Sequence, residues 1–198
     1  ALVCASQRLA ETANNLANPP QCVETIPCVT AIDKEWRRPV APMKKAWQKE
    51  PIDILFPADP RRPEKRHLLA LQTGEVLEAR GWMVGITSLR HQPRNIVYDR
   101  MLTADVTLIT SKREAGPLVA RESLLCGTPV VSVDVGEVAR YLPSSWVRAE
   151  DPEELADGIE AALRTGWREE ESVEERLRFA SAETVTQAWS ELLASLVS

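Results

Sequence analysis

The residues with most chemistry to offer stand in one stretch, "TSKREAGPLVARESLLCGTPVVS", positions 110 to 132. Glu114 and Glu122 lie eight residues apart, and Gly116 and Pro117 follow the first of them. An apolar strand, "VTLIT", precedes the pair and another, "PVVSV", comes after it. Strand, turn, helix and strand in that order put the turn at the carboxyl edge of a sheet. Pro117 suits the first turn of a helix, where its missing N–H is not needed. The free N–H groups of Leu118 and Val119 then face outward, as an anion site requires. Glu122, one turn inside, can accept two hydrogen bonds from a vicinal diol such as a ribose. Glu114, on the loop, can reach a second part of the same ligand. Taken singly, each acid reads as surface charge; their spacing across a strand, a turn and a helix favours a site.

Other chemistries are missing from the sequence. It contains neither G-x-G-x-x-G nor G-x-x-x-x-G-K-[ST], so neither usual phosphate loop is present. There is no G-x-S-x-G elbow and no D-x-D pair, and His67 and His91 stand too far apart to suggest a metal cluster. Cations cluster in "RRPEKR", residues 61 to 66. With no acidic pair to hold a metal, fixed cations and helix N–H groups must meet any phosphate.

The elements that position these residues follow from apolar runs and their breakers. Strands are expected at 1–6, 22–27, 52–57, 82–87, 106–110, 129–133 and 146–149. Helices are expected at 7–16, 43–48, 64–80, 95–103, 118–126, 136–142, 152–164 and 173–197, the last with a break near Ser181. Gly81 stands where a helix C-terminal cap belongs. Strands alternating with helices predict one doubly wound, Rossmann-like α/β domain, a parallel sheet with helices on both faces. Ligands of such sheets bind outside the carboxyl ends of the strands. Val185, Trp189, Leu192 and Leu196 make an apolar stripe on the last helix, suited to its own sheet or to a docked neighbour.

Composition agrees with one domain. The 198 residues are 44% apolar and carry a net charge of -5, with a pI near 5.3. That balance gives no reason to expect nucleic acid as a partner. No apolar run reaches the roughly 20 residues of a membrane span. Cys4, Cys22, Cys28 and Cys126 lack zinc-like spacing, and reduced thiols in the cytoplasm are the expectation. The chain opens without Met, inside what reads as a strand, as a processed chain or a fragment would.

"EAGPLVARESLLCGTPVVS" resembles the E-x7-E region of retaining, group 1 glycosyltransferases of the GT-B fold, whose usual form approximates "EGxPxxxxEAxxxGxPVV". The likeness extends along nearly the whole chain. "ETIPCVTAIDKEWRRP" is similar to the family's "IPNGVDxxxFxP", "ILFPADPRRPEKRHLLAL" to its phosphate-binding strand, loop and helix, and "YDRMLTADVTLITS" to "YxxADVxLxxS". Two departures stand out: Ala115 replaces a glycine, and "IPCVTAID" lacks the Asn-Gly pair.

The resemblance implies the C-terminal, donor-binding half of a GT-B fold, over residues 1–198. In that family the first glutamate approaches the donor sugar and the second the ribose, which gives those roles to Glu114 and Glu122. Lys65 and Arg62 match the basic pair at the diphosphate, with Arg61 as a rival for Arg62. Gly116, Leu118 and Val119 complete the phosphate cradle, and the loop from Thr87 through Arg90 lies where the base would sit. The implied reaction moves a sugar from a nucleotide-diphosphate sugar to an acceptor, without metal or other cofactor and with retained configuration. The family's N-terminal acceptor domain and its histidine are not in this chain, so the chain alone is expected to bind donor and transfer nothing. Two other readings stay open: half of a nucleotide-sugar 2-epimerase, or a non-catalytic nucleotide-sugar binding module.

Overall fold

The first elements are β1 (Leu2–Cys4), α1 (Gln7–Asn14) and β2 (Val23–Thr25), and the two strands form a parallel pair of their own. The computed structural model describes residues 2–41, 50–167, 169 and 171–197. The short helix expected at 43–48 lies outside the described residues. The main sheet follows. It is built from β3 (Ile52–Phe56), β4 (Val84–Ser88), β5 (Val106–Ile109), β6 (Val130–Val133) and β7 (Val147–Arg148). These strands are all parallel and lie in the order β4-β3-β5-β6-β7.

The inner strands are near-continuous apolar runs, as strands covered on both faces must be. Ile54, Leu55, Val106, Leu108, Val130 and Val131 are wholly buried. Among the described residues, four helices flank the sheet: α2 (His67–Ala79), α3 (Arg94–Thr103), α4 (Leu118–Leu125) and α5 (Pro152–Thr165). α2 packs against α5 and α3 against α4, which divides them between two layers around one core. From β3 the chain winds first to β4 and then returns past β3 to β5. The winding reverses between β3 and β5, and the carboxyl ends of those strands open the crevice where such sheets bind ligands.

Three expected helices are shorter than the sequence pattern suggests. The one expected from residue 64 begins as a 3-10 turn, Pro63–Lys65, and α2 starts only at His67. Arg66 between them has a left-handed backbone, φ 51°, which cannot continue a helix. Residues 136–142 supply a single 3-10 turn, Val138–Arg140. The long C-terminal helix divides into α6 (Val173–Arg176), a 3-10 turn and α7 (Ala182–Val197). A capping box of Ser172 and Glu175 starts α6. Ser181 ends the turn, and its Oγ accepts the Thr184 N–H at 3.1 Å to start α7.

The stripe on α7 also divides. Val185 and Leu192 are buried with Ile26, Val3 and Ala188, so α7 covers the β1–β2 pair rather than the main sheet. Trp189, Leu193 and Leu196 are exposed. Leu192→Ala should therefore cost about 2 kcal/mol, at the low end for a core leucine. Leu196→Ala should stay within about 0.5 kcal/mol. Urea unfolding of both measures the contrast, and equal losses would place Leu196 against a surface the fold does not provide.

Candidate functional site

Two loops meet over the crevice, one after β3 and one after β5, and backbone groups join them. The Thr110 hydroxyl donates to the carbonyls of Lys65 at 2.7 Å and Arg66 at 3.1 Å. Arg66 Nε donates back to the Thr110 carbonyl at 2.5 Å, and the Lys112 N–H to the Glu64 carbonyl at 2.8 Å. The left-handed Arg66 aims Lys65 inward as part of this joint. Lys65 Nζ and Glu114 Oε1 form an ion pair in which each side chain is mostly buried. With Phe56, Ser111 and Val119 they line a narrow hollow over the ends of β3 and β5.

Beside that hollow lies the amino end of α4. Pro117 precedes its first residue, and among the described residues no side-chain hydrogen bond caps it. The first N–H groups of a helix have no partner inside it, so those of Leu118 and Val119 are open to an anion. The loop carrying Glu114 is pressed on its far side against the loop after β6. A Cβ on Gly116 would stand 2.9 Å from Glu137 Oε1. One on Gly136 would stand 3.0 Å from the Ala115 carbonyl oxygen. Beneath lies Arg121, wholly buried, 3.8 Å from Glu137 and donating to the Cys28 carbonyl at 3.3 Å. Burial raises the Glu137 carboxyl above its ordinary value, with Arg121 and Arg140 opposing.

Glu122 sits one turn into α4 with 6% of its surface exposed. Burial pushes its carboxyl above the ordinary range, and Arg94, Tyr98 and Arg121 pull it back. Arg94, the first residue of α3, donates from Nη2 to Glu122 Oε1 and from Nε to the Tyr98 hydroxyl, the latter at 2.6 Å. Sequence reasoning missed Arg94. It stands 28 residues from Glu122, and only the packing of α3 on α4 brings the two together.

The remaining expected residues occupy the rim. Arg61 pairs with Asp59 at 2.7 Å, and Arg90 approaches the same carboxylate at 3.7 Å. Hydrogen bonds from Arg61 hold the Asp59 carboxyl well below the usual range. Arg62 pairs with Glu64 at 2.6 Å and is exposed, not directed into the hollow with Lys65. The Thr87 hydroxyl bonds Asp53 at 2.9 Å, back along the sheet. The structure thus gathers Lys65, Glu114 and Val119 in one hollow, with Gly116, Leu118 and Glu122 on the adjoining turn and helix. Arg61, Arg62 and Arg90 stand outside it, each against an acid. Among the described residues, no helix is long and apolar enough to cross a membrane.

Comparison with known proteins gives this crevice a context. The family described as glycosyl transferases group 1 matches residues 76–182, just over half of the chain. A D-inositol 3-phosphate glycosyltransferase from Streptosporangium roseum is 35% identical over 82 residues, which cover 39% of this chain and 19% of that protein. Among solved structures, sucrose-phosphate synthase from Thermosynechococcus elongatus is similar with a TM-score of 0.65 at 18% identity. That match covers 98% of this chain and 58% of the synthase. A mutant of S. aureus TarM, in complex with fondaparinux, alpha-GlcNAc-glycerol and UDP, gives a TM-score of 0.63 at 15% identity, over 96% of this chain and 43% of its own. The chain spans less than two thirds of the length of each of these relatives.

Proposed function

Because the chain belongs to the glycosyl transferases group 1 family, we propose that it is the donor-binding part of an enzyme that transfers a sugar from a nucleoside-diphosphate sugar to an acceptor. The observation that carries this reading is the Lys65–Glu114 hollow, set at the switch between β3 and β5 beside the uncapped end of α4. The diphosphate lies against Lys65 and the N–H groups of Leu118 and Val119. Glu122 accepts the ribose hydroxyls, and Glu114 accepts those of the sugar. Gly116 lets the loop backbone approach the ligand while its other side rests on Glu137. Arg61, Arg62 and Arg90 reach the donor by leaving Asp59 and Glu64, and the base lies toward the loop after β4.

Chemistry follows from charge. As the bond between the anomeric carbon and the diphosphate oxygen breaks, negative charge gathers on the departing diphosphate. A fixed ammonium and helix N–H groups stabilise it without rearrangement, so no metal is required. The acceptor oxygen forms the new bond on the face the diphosphate leaves, and its proton passes to the departing diphosphate oxygen, so configuration is retained. The acceptor itself is held by a further domain. The four cysteines are free, and a cytoplasmic setting completes the proposal.

The two glutamates separate by ligand, which tests the reading. Glu122→Ala should weaken a free nucleoside diphosphate and a nucleotide sugar alike, by about 1–2 kcal/mol. Glu114→Ala should weaken the nucleotide sugar by a similar amount, yet leave the bare diphosphate no weaker. Calorimetry with UDP, GDP and dTDP and with their sugars supplies each value. Equal losses for Glu114→Ala with both ligand kinds would remove its sugar role. Silence from both variants would make the pair surface charge.

A further inference from the structure

Arg94 belongs to none of the roles assigned so far, yet its guanidinium occupies the carboxylate that a ribose would need. Two helices make the contact. α3 supplies Arg94 and, one turn on, Tyr98; α4 supplies Glu122. Arg94 bonds both, and its guanidinium carbon also lies 5.3 Å from the centre of the Tyr98 ring. Glu122 is almost fully enclosed, while the Arg94 side chain keeps 67% of its surface. An arginine so exposed adds little to stability through one surface contact. Its effect falls on the enclosed partner.

We infer that Arg94 is a positioning residue that keeps the buried Glu122 carboxylate charged and turned toward the mouth of the crevice, ready for a ribose diol. The inference rests on the donor-binding reading above. A protonated carboxyl turns one oxygen into a donor and loses its negative charge, so it accepts the two hydroxyls of a diol more weakly than a carboxylate does. Burial favours that protonated form, and the Arg94 charge opposes it. Without Arg94 the carboxyl rises further, stays ionised only at higher pH, and loses its charge as pH falls through the raised value. Among the described residues, the other titratable groups beside Glu122 are Tyr98 and Cys126. Tyr98, from α3, is raised by burial, and Cys126, from α4, is pushed up to about 12 by burial and by Glu122.

The test is a pH series of calorimetric titrations on the full chain with UDP, GDP and dTDP. Phosphate ionisation is common to every variant and cancels in the ratio of affinities. R94Q relative to the unsubstituted chain should lose progressively more affinity as the pH falls, by up to about tenfold for each unit by which the carboxyl is displaced. R94K retains the charge and should give a flat ratio. A loss by R94Q that is constant with pH would make Arg94 a packing residue and overturn the inference. So would an R94K profile that follows R94Q. If the unsubstituted chain binds none of the three nucleotides, the donor-binding reading falls and takes this inference with it.

Discussion

Lys65→Ala is expected to weaken a nucleoside diphosphate by roughly ten- to a hundredfold, the worth of one charge-assisted hydrogen bond in a partly enclosed site. Loss of the ammonium is only part of this. In the native chain Lys65 neutralises Glu114, whose side chain keeps just 17% of its surface. Truncating Lys65 leaves that carboxylate facing the incoming phosphates, and like charges at close range in a partly dry site repel. The double variant Lys65→Ala, Glu114→Ala should therefore bind the bare diphosphate better than Lys65→Ala alone. Such a recovery is the signature of two residues acting as a unit. Calorimetry in the presence and absence of EDTA completes the test. Binding that vanishes with EDTA while Lys65→Ala has no effect would replace the ammonium with a metal.

Gly127→Ala should destabilise the fold by about 3 kcal/mol, through strain and overpacking together. Gly127 closes α4: its N–H reaches the Leu124 carbonyl at 3.0 Å, and the Thr128 N–H reaches that of Ser123 at 3.0 Å. This closure puts Gly127 at φ 85°, which side chains with a Cβ adopt only at a cost. A Cβ there would also stand 2.6 Å from Arg38 Cβ and 3.0 Å from the Arg38 and Pro39 carbonyl oxygens. Backbone cannot turn aside as a side chain can, so segment 38–39 must move. Its anchor, the Arg38 N–H to the Leu125 carbonyl at 3.0 Å, would be strained with it. Urea unfolding gives the value. A change within about 0.5 kcal/mol would mean that the linker is not seated on α4.

What could be read in advance follows a physical divide. β3, β5 and β6 were legible because a strand buried on both faces is an apolar run, and Pro51, Gly127 and Pro129 mark where such runs stop. α4 was legible from Pro117 and Gly127, residues with a fixed meaning at helix ends. Pairing was not. The separation of β1 and β2 from the main sheet depends on α7, some 160 residues later, covering them. Arg66 gave no sign of its left-handed backbone, because arginine does not favour that state and contacts with the distant Thr110, Ser111 and Glu150 accompany it. The burial of Arg121 was equally hidden. It adjoins Glu122 in sequence, where a charged residue on a helix is ordinarily solvated. In the site, the acids and the helix end were readable from local order, while Arg94 required knowledge of which helices touch.

The pairing of charges in and around the crevice has a consequence for the donor-binding reading. Lys65 holds Glu114, Arg94 holds Glu122, Arg62 holds Glu64, and Arg61 and Arg90 share Asp59. A molecule offering only negative charge, such as inorganic phosphate, can draw a cation away but strands the acid it leaves. One offering only hydroxyls, such as a free sugar, can satisfy an acid but strands a cation. At the enclosed Lys65–Glu114 pair a stranded group costs about what the new bond returns, while the exposed pairs on the rim give way cheaply. A ligand carrying phosphates and hydroxyls on one frame satisfies both sides at once. On the donor-binding reading, the crevice would then discriminate against a phosphate alone or a sugar alone and favour their covalent combination.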